Sequence, residues 1–197
     1  MLEVELKSVV DDPARRRTAA ERAGARLTFT GELIDWRYDT PDLSLAGRDH
    51  VLRLRVYRTQ SESRGELDWK GPTRREGGYK LREELDVHVG EPDALVEMLD
   101  RLGYVVTVAI DREIAQYDLD GVMIRFEHYP RMDDLVEVEG TPEGIERAIA
   151  ALGMSREGFT TERLPDFVRR YEERTGGRAA LCRAELDGNR RYDAANA

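Results

Sequence analysis

Pairs of like-charged residues separated by one position are the features of this sequence most suited to chemistry. Three of these pairs stand out: Glu3 and Glu5, Glu137 and Glu139, and Arg53 and Arg55. Alternate residues of a β-strand point to one face, so each pair would present its two charges side by side. Carboxylate pairs bind hard divalent cations, and guanidinium groups bind phosphate oxygens through two parallel hydrogen bonds. Together they predict a site for a metal–triphosphate complex.

The other predicted strands extend this charged face. Its members are Glu3, Glu5, Lys7, Arg53, Arg55, Lys70, Lys80, Arg82, Glu84, Arg112, Arg125, Glu127, Glu137 and Glu139. The alternative is the solvated outer face of an ordinary antiparallel sheet. Acids are grouped near the two ends of the set and bases in its middle, whereas an unselected wet face mixes both signs. A closed barrel would turn this face into the lining of a lumen.

Hydrophobic periodicity indicates the elements that position these residues. Alternation predicts strands over 2–8, 35–39, 51–58, 66–70, 80–89, 104–119, 122–127 and 135–139. Asp-Pro, Glu-Pro and Thr-Pro starts predict helices over about 11–23, 91–102 and 141–153, with a fourth over 164–174. Asp120-Gly121 is a strong hairpin signal. Strands with hairpin connections and a few helices give an α+β fold with an antiparallel sheet.

Several motifs in order resemble the CYTH superfamily, the triphosphate tunnel metalloenzymes. The resemblance lies in six stretches: Glu3-Val4-Glu5-Leu6-Lys7, Tyr38-Asp39-Thr40-Pro41, Leu52-Arg53-Leu54-Arg55, Trp69-Lys70-Gly71-Pro72, Lys80-Leu81-Arg82-Glu83-Glu84 and Glu137-Val138-Glu139. It covers residues 1–140 strongly and 141–175 loosely. The implied fold is an eight-stranded antiparallel β-tunnel, a closed barrel with helices packed outside.

The resemblance also implies the roles of the charged residues. Mg²⁺ or Mn²⁺ would be bound by Glu3, Glu5, Glu127, Glu137 and Glu139. Substrate phosphates would be bound by Lys7, Arg53, Arg55, Lys70, Lys80, Arg82, Arg112 and Arg125, with Lys7, Arg55 and Arg112 as the catalytic residues. For Arg125, pairing with Glu127 is the alternative to substrate contact.

The sequence departs from the family pattern at three places. Glu127 stands where relatives usually have Asp, the Lys that often precedes Arg112 is missing, and residues 130–134 replace the usual Leu-Gly stretch. The first departure still allows a longer-reaching metal ligand. The second removes one expected substrate contact.

The resemblance implies three alternative functions. The leading one is a class IV adenylate cyclase-like enzyme, a phosphorus–oxygen lyase that converts ATP to cyclic AMP and pyrophosphate. The second is a triphosphatase that hydrolyses thiamine triphosphate, inorganic tripolyphosphate or a nucleoside triphosphate. The third is a non-catalytic polyphosphate- or nucleotide-binding module, which would need the basic lining but not the carboxylates.

Composition limits the remaining possibilities. The chain has 197 residues and a net charge of -9, with 36% charged residues and a single cysteine, Cys182. A disulfide framework is therefore excluded, and we expect a cytoplasmic protein that binds neither nucleic acid nor a membrane. Residues 1–175 are expected to form one domain and 176–197 a polar, partly disordered tail. Resemblance to the cyclases implies a homodimer.

The remaining polar and aromatic residues are expected to be structural. Asp39 is predicted to be a turn residue, and His50, His88 and His128 have no spacing that suggests a joint site. Trp36, Trp69 and Tyr79 are expected to pack, and Cys182 to be inert.

Overall fold

The computed structural model describes residues 4–76, 79–81 and 83–188. Two residues predicted to belong to the site, Glu3 and Arg82, lie outside this part of the chain. Among the described residues, no helix has both the length and the hydropathy of a membrane span.

Eight of the strands in the described part of the chain form one antiparallel sheet. The strands are β1 (Val4–Val9), β2 (Arg26–Asp39), β3 (Val51–Arg58), β4 (Ser63–Lys70), β5 (Arg74–Glu76), β6 (Tyr79–Leu81), β7 (Glu84–Val89), β8 (Val105–Leu119), β9 (Val122–His128) and β10 (Leu135–Gly140). The order in the sheet is β1-β10-β9-β8-β2-β3-β4-β7, and β5 pairs with β6 in a separate two-stranded sheet. The expected α+β architecture is confirmed, and closure of the sheet into a barrel stays a prediction.

Four of the five α-helices in the described residues follow the predicted positions, and the fifth begins at Arg183, in the segment predicted to be a polar tail. The helices are α1 (Pro13–Arg22), α2 (Pro92–Arg101), α3 (Pro142–Leu152), α4 (Leu164–Thr175) and α5 (Arg183–Leu186). The side chain of Asp12 caps α1, and that of Thr141 caps α3. The first residue of α1, α2 and α3 is a proline, whose fixed φ suits the first helical turn.

The chain divides into two compact units. Of the described residues, the first contains 4–31 and 112–188, and the second contains 32–76, 79–81 and 83–111. Each of the long strands β2 and β8 therefore contributes one part to each unit.

The first unit has its core between the sheet and two helices. Its fully buried side chains include Ile124 from β9, Val138 from β10, and Ile145 and Leu152 from α3. Ile145 and Leu152 lie on the same face of α3, and burial of this apolar face is why the helix lies on the sheet. Glu137 and Glu139 lie on the opposite face of β10, which they share with the buried Leu135.

The second unit has its own core, formed by β2, β3 and α2. Leu54 and Val56 lie on either side of Arg55 along β3, and together with Ile34 of β2 they pack near Leu99 of α2. Alternation therefore places every second residue of β3, including Arg53 and Arg55, on the other face of the strand.

Two segments differ from the expectation. Residues 80–89 were predicted as one strand, but Lys80 lies in β6, paired through Arg75 of β5, and β7 begins only at Glu84. The prediction was wrong because β5 offers a partner that is close along the chain. Strand β2 begins at Arg26, nine residues before the expected start.

The described part of the predicted tail, residues 176–188, packs on the first unit. Ala180 pairs with Arg131 through backbone hydrogen bonds of 2.8 and 3.1 Å. Ala180, Leu181 and Cys182 are buried. The reason is the short apolar stretch 179–182, which the polar average of the segment conceals. Residues 189–197 lie outside the described part of the chain.

Candidate functional site

Strands β1 and β10 bring acidic side chains together in the first unit. Their antiparallel register places Glu5 opposite Glu139 and Lys7 opposite Glu137. Carboxylate oxygens of Glu5, Glu137 and Glu139 all lie within 4.8 Å of one another. The sequence prediction that the two acidic strand faces meet is thus confirmed for these three residues.

Lys7 lies between two of these carboxylates. Its ammonium Nζ is 2.8 Å from Oε1 of Glu5 and 3.3 Å from Oε2 of Glu137. Burial alone would lower the pKa of Lys7, but Glu137 and Glu5 outweigh it and raise the pKa above its ordinary value. The backbone of Lys7 is also paired with Thr160 by two 2.9 Å hydrogen bonds, which fixes the start of the side chain.

Glu137 is the most buried carboxylate of this group, with 4% of the residue exposed. The terminal nitrogen Nη2 of Arg125 donates to its Oε1 at 2.9 Å. Burial would raise the pKa of Glu137, but Arg125 and Lys7 outweigh it and lower the pKa to about 2. Glu137 therefore stays ionised at neutral pH and can ligate a cation.

Arg112 and Arg125 share one counter-ion, Glu127. Nε of Arg112 donates to Oε1 of Glu127 at 2.9 Å, and Nε of Arg125 donates to the same oxygen at 3.2 Å. The hydroxyl of Tyr129 donates to the other oxygen of Glu127 at 2.7 Å. Arg125 therefore pairs with Glu127, and its contact with a substrate phosphate stays a prediction. Glu127, predicted as a metal ligand, is surrounded by these three donors.

The second unit contains another group of ionised residues, on β2, β3 and β4. Nε of Arg53 donates to both oxygens of Asp68, at 2.9 and 3.1 Å. Nε of Arg55 donates to Asp35 at 3.0 Å. Both aspartates are buried, and both arginine side chains are largely so. The two predicted phosphate contacts of β3 therefore have fixed orientations.

Lys70, at the end of β4, has a partner across the strand pair. Its ammonium lies 2.9 Å from both oxygens of Glu84 on β7, at an exposed position. Exposed pairs of this kind are worth ~0–1 kcal/mol and are easily exchanged for another anion.

Asp39 confirms its predicted structural role. Its carboxylate accepts from the backbone N–H groups of Thr40, Leu45 and Ala46 at 2.7–2.9 Å. Burial would raise its pKa, but these donors lower it below the ordinary value. His50 accepts from the indole N–H of Trp69 at 3.2 Å, and His128 contacts Asp134 at 2.6 Å.

Sequence reasoning missed three residues of these networks: Asp35, Asp68 and Tyr129. Asp35 and Asp68 were visible in the strand alternation, on the same face as Arg53 and Arg55, and the register now makes them direct neighbours. Tyr129 gave a weaker signal, its separation of two residues from Glu127.

The acidic group of the first unit has the chemistry of a hard-cation site. Mg²⁺ and Mn²⁺ prefer oxygen ligands, and oxygens on opposite sides of Mg²⁺ are about 4.2 Å apart. Separations of up to 4.8 Å need only small side-chain movements. The side chain of Glu5 is 53% exposed, so a hydrated ion can reach the group.

Comparison with known proteins gives a family and a fold. A family model described as the CYTH domain matches residues 1–147. A search of the curated proteins finds no match.

Solved structures share the fold at low sequence identity. A candidate adenylate cyclase of Vibrio parahaemolyticus is 20% identical, with a TM-score of 0.67, over 86% of this chain and 98% of that one. A Pyrococcus horikoshii protein is 24% identical, with a TM-score of 0.62, over 82% and 95%. A candidate adenylyl cyclase of Hippeastrum, with a dominant triphosphatase activity, is 17% identical, with a TM-score of 0.56, over 91% and 99%.

Proposed function

Since the chain belongs to the CYTH domain family, we propose that it is a divalent-metal-dependent enzyme that cleaves a phosphoanhydride bond of a triphosphate. The observation that carries this proposal is the group formed by Glu5, Glu137 and Glu139. A module that only binds polyphosphate would need cations and no such carboxylates.

Burial of the surrounding charges supports the proposal. Glu137, Arg125, Glu127 and Arg112 are all buried and ion-paired. Replacing a buried ion pair by apolar side chains of similar volume is often neutral or even stabilising, so such a network is weak evidence for a role in stability alone. A buried network of charges that adds little to the stability of the fold is consistent with binding a charged ligand.

The proposed metal ligands are Glu5, Glu137 and Glu139, together with Glu3, two residues before Glu5. A bound Mg²⁺ or Mn²⁺ would neutralise phosphate charge as the P–O bond breaks. Ionised Glu137 keeps one ligand ready at neutral pH, and the exposed Glu5 can adjust its position. Lys7 lies beside both and is proposed to move its ammonium to a phosphate oxygen.

Phosphate binding is proposed for the cations that the sequence predicts. In the first unit these are Lys7, Arg112 and Arg125, and in the second they are Arg53, Arg55, Lys70, Lys80 and Arg82. Lys7, Arg55 and Arg112 are the proposed catalytic residues, stabilising the charge that builds on the transferred phosphoryl group. Guanidinium groups whose Nε atoms are already held by carboxylates, as in Arg53, Arg55 and Arg112, are oriented before the substrate arrives.

Hydrolysis is the reaction that this set of side chains supports best. The groups described around the three carboxylates, Lys7 and Arg125, suit phosphate oxygens and do not distinguish one base from another. Attack of water on the γ-phosphorus needs only the metal and the phosphate contacts. The resemblance of residues 38–55 and 69–84 to the cyclases favours the second candidate, attack of the ribose 3′-hydroxyl on the α-phosphorus of ATP.

A substrate panel with identified products tests the proposal. ATP, GTP, thiamine triphosphate and tripolyphosphate are each incubated with Mg²⁺ or Mn²⁺, and the products are separated by chromatography. A triphosphatase releases orthophosphate, whereas a cyclase converts ATP to cyclic AMP and pyrophosphate. Binding without turnover of any substrate would leave only the binding module. A cytoplasmic location and a homodimer remain predictions.

A further inference from the structure

Glu127 and Tyr129 form a buried unit that the proposed metal site does not use. Both oxygens of Glu127 accept hydrogen bonds, one from Nε of Arg112 and of Arg125, the other from the hydroxyl of Tyr129. All four residues are buried. The carboxylate group suited to a cation consists of Glu5, Glu137 and Glu139, and Glu127 is not a member of it.

Tyr129 contacts the network twice. Besides its hydrogen bond to Glu127, its ring lies 5.8 Å from the guanidinium carbon of Arg112. That distance is within the range of a cation–π contact. Tyr129 therefore constrains Arg112 from its ring and Glu127 from its hydroxyl.

Charge makes Glu127 a poor ligand for a metal ion. Two guanidinium groups share one oxygen of its single carboxylate. Their positive charges offset the attraction that the carboxylate would exert on a cation.

Burial, and then the adjacent Glu127 carboxylate, hold the pKa of Tyr129 well above its ordinary value. The phenol therefore keeps its proton and stays a donor to Glu127.

We propose that Glu127 and Tyr129 are positioning residues: Glu127 orients Arg112 and Arg125 toward the phosphates of the substrate, Tyr129 fixes Glu127, and neither residue binds the metal. This inference rests on the proposed function, because it assigns the two arginines to a triphosphate. It differs from the expectation that Glu127 takes the place of the family's aspartate as a metal ligand.

The phosphate half of the proposal is tested by Tyr129→Phe, which leaves the charge of the site unchanged. The matched control is Tyr117→Phe, because Tyr117 is also buried in the first unit and its hydroxyl donates to Glu21 at 2.8 Å. Tripolyphosphate binding is measured by calorimetry in EDTA, where metal-dependent turnover cannot consume it. We expect Tyr129→Phe to weaken binding roughly tenfold, the value of one hydrogen bond to a charged group, and Tyr117→Phe to leave it unchanged.

A double-mutant cycle separates positioning from general damage to the fold. Arg112→Lys is combined with Tyr129→Phe, and the two losses in tripolyphosphate affinity are compared with the loss in the double variant. We expect a smaller loss than the sum, because both changes act through one guanidinium group. Additive losses, or unchanged affinity in Tyr129→Phe, would overturn the assignment of Tyr129.

The metal half is tested by titrating Mn²⁺ and following the free ion by electron paramagnetic resonance. Glu127→Gln should weaken Mn²⁺ binding by at most about threefold, because two guanidinium groups already offset the charge of Glu127, whereas Glu139→Gln should weaken it by at least about thirtyfold. Equal losses would make Glu127 a metal ligand and overturn the inference. Should either variant fail to fold, a Mn²⁺ anomalous peak beside Glu127 in crystals of the unaltered protein would overturn it too.

These outcomes are distinguishable from failure of the proposed function. If the unaltered protein binds neither Mn²⁺ nor tripolyphosphate, the proposed function and this inference are both wrong. If it binds both and Glu127→Gln loses the metal, only the inference is wrong.

Discussion

At the scale of single residues, the site depends on Glu137. This buried carboxylate contacts Lys7 and Arg125 and belongs to the acidic group with Glu139. Removal of its partners would leave a buried anion without a counter-ion, and removal of Glu137 would leave buried cations without one. Either change costs several kcal/mol. The same contacts that stabilise its ionised form therefore make it available to a metal.

Glu137 should make stability depend on pH in acid. Its pKa in the folded protein is lowered to about 2 from an ordinary value of 4.5. A depressed pKa stabilises the fold fully above the unfolded value, and this contribution is lost as pH falls from about 4.5 towards 2. We expect the loss to be at most about 3 kcal/mol.

The measurement is the free energy of unfolding in urea between pH 6 and pH 2. Glu137→Gln should show a flatter dependence on pH than the unaltered protein, and the exposed Glu157→Gln should show the same dependence as the unaltered protein. Equal slopes for Glu137→Gln and the unaltered protein would contradict the contacts described for Glu137.

At the scale of elements, alternation along strand β3 places core residues on one face and the proposed phosphate-binding arginines on the other. Leu54 and Val56 face the core, whereas Arg53 and Arg55 face the other side and pair with Asp68 and Asp35. This explains why a truncation such as Arg55→Ala is a poor test, because it leaves a buried aspartate without its partner. A variant that keeps the charge is more informative.

Arg55→Lys should weaken tripolyphosphate binding roughly tenfold, because an ammonium cannot reproduce the paired hydrogen bonds of a guanidinium. The matched control is Arg58→Lys, since Arg58 lies on the opposite face of the same strand and pairs with Asp93. Calorimetry in EDTA gives the affinities, and thermal melts show whether both variants fold. Equal affinities for the two variants would mean that β3 presents an ordinary solvated face.

Periodicity in the sequence was sufficient to predict most elements and the meeting of two acidic strand faces. Glu5, Glu137 and Glu139 could be placed together because alternation assigns each to a strand face. The Asp120-Gly121 hairpin was also correct, and both residues have the positive φ that a two-residue turn needs.

What the sequence could not supply was cross-strand register. Asp35 lies opposite Arg55 only because β2 pairs with β3 in one particular alignment, which no local pattern specifies. Tyr129 follows the end of β9, so alternation within the strand did not include it. The local pairing of β5 with β6, which separates Lys80 from the rest of its predicted strand, was missed for the same reason.

At the scale of the whole molecule, the net charge of -9 would repel a polyanionic substrate at long range. Binding of the proposed triphosphate would therefore have to come from local cations, such as Arg125 of β9. The C-terminal segment 176–188 packs on the loop after β9. Ala180 pairs with Arg131 through the backbone, and Nε of Arg131 donates to the carbonyl of Arg178 at 2.8 Å.

Leu181→Ala should show that this segment is part of the folded unit. Leu181 is fully buried, with 0% exposed, and Leu186, with 47% exposed, provides the control. Loss of the larger side chain from a packed site costs about 2–5 kcal/mol, which lowers Tm by roughly 5–15 °C in a chain of this size. Equal Tm values for Leu181→Ala and Leu186→Ala would mean that the segment is a detached tail.

The central claim is that the acidic group binds the metal on which catalysis depends, and a Mn²⁺ titration of Glu5→Gln, Glu137→Gln and Glu139→Gln tests it most directly. Glu157→Gln is the control, since Glu157 is exposed and lies outside the group. We expect each of the three variants to lose Mn²⁺ affinity by at least about tenfold, in parallel with its loss of triphosphate cleavage, while the control matches the unaltered protein. Unchanged Mn²⁺ affinity in all three variants, with cleavage intact, would contradict it.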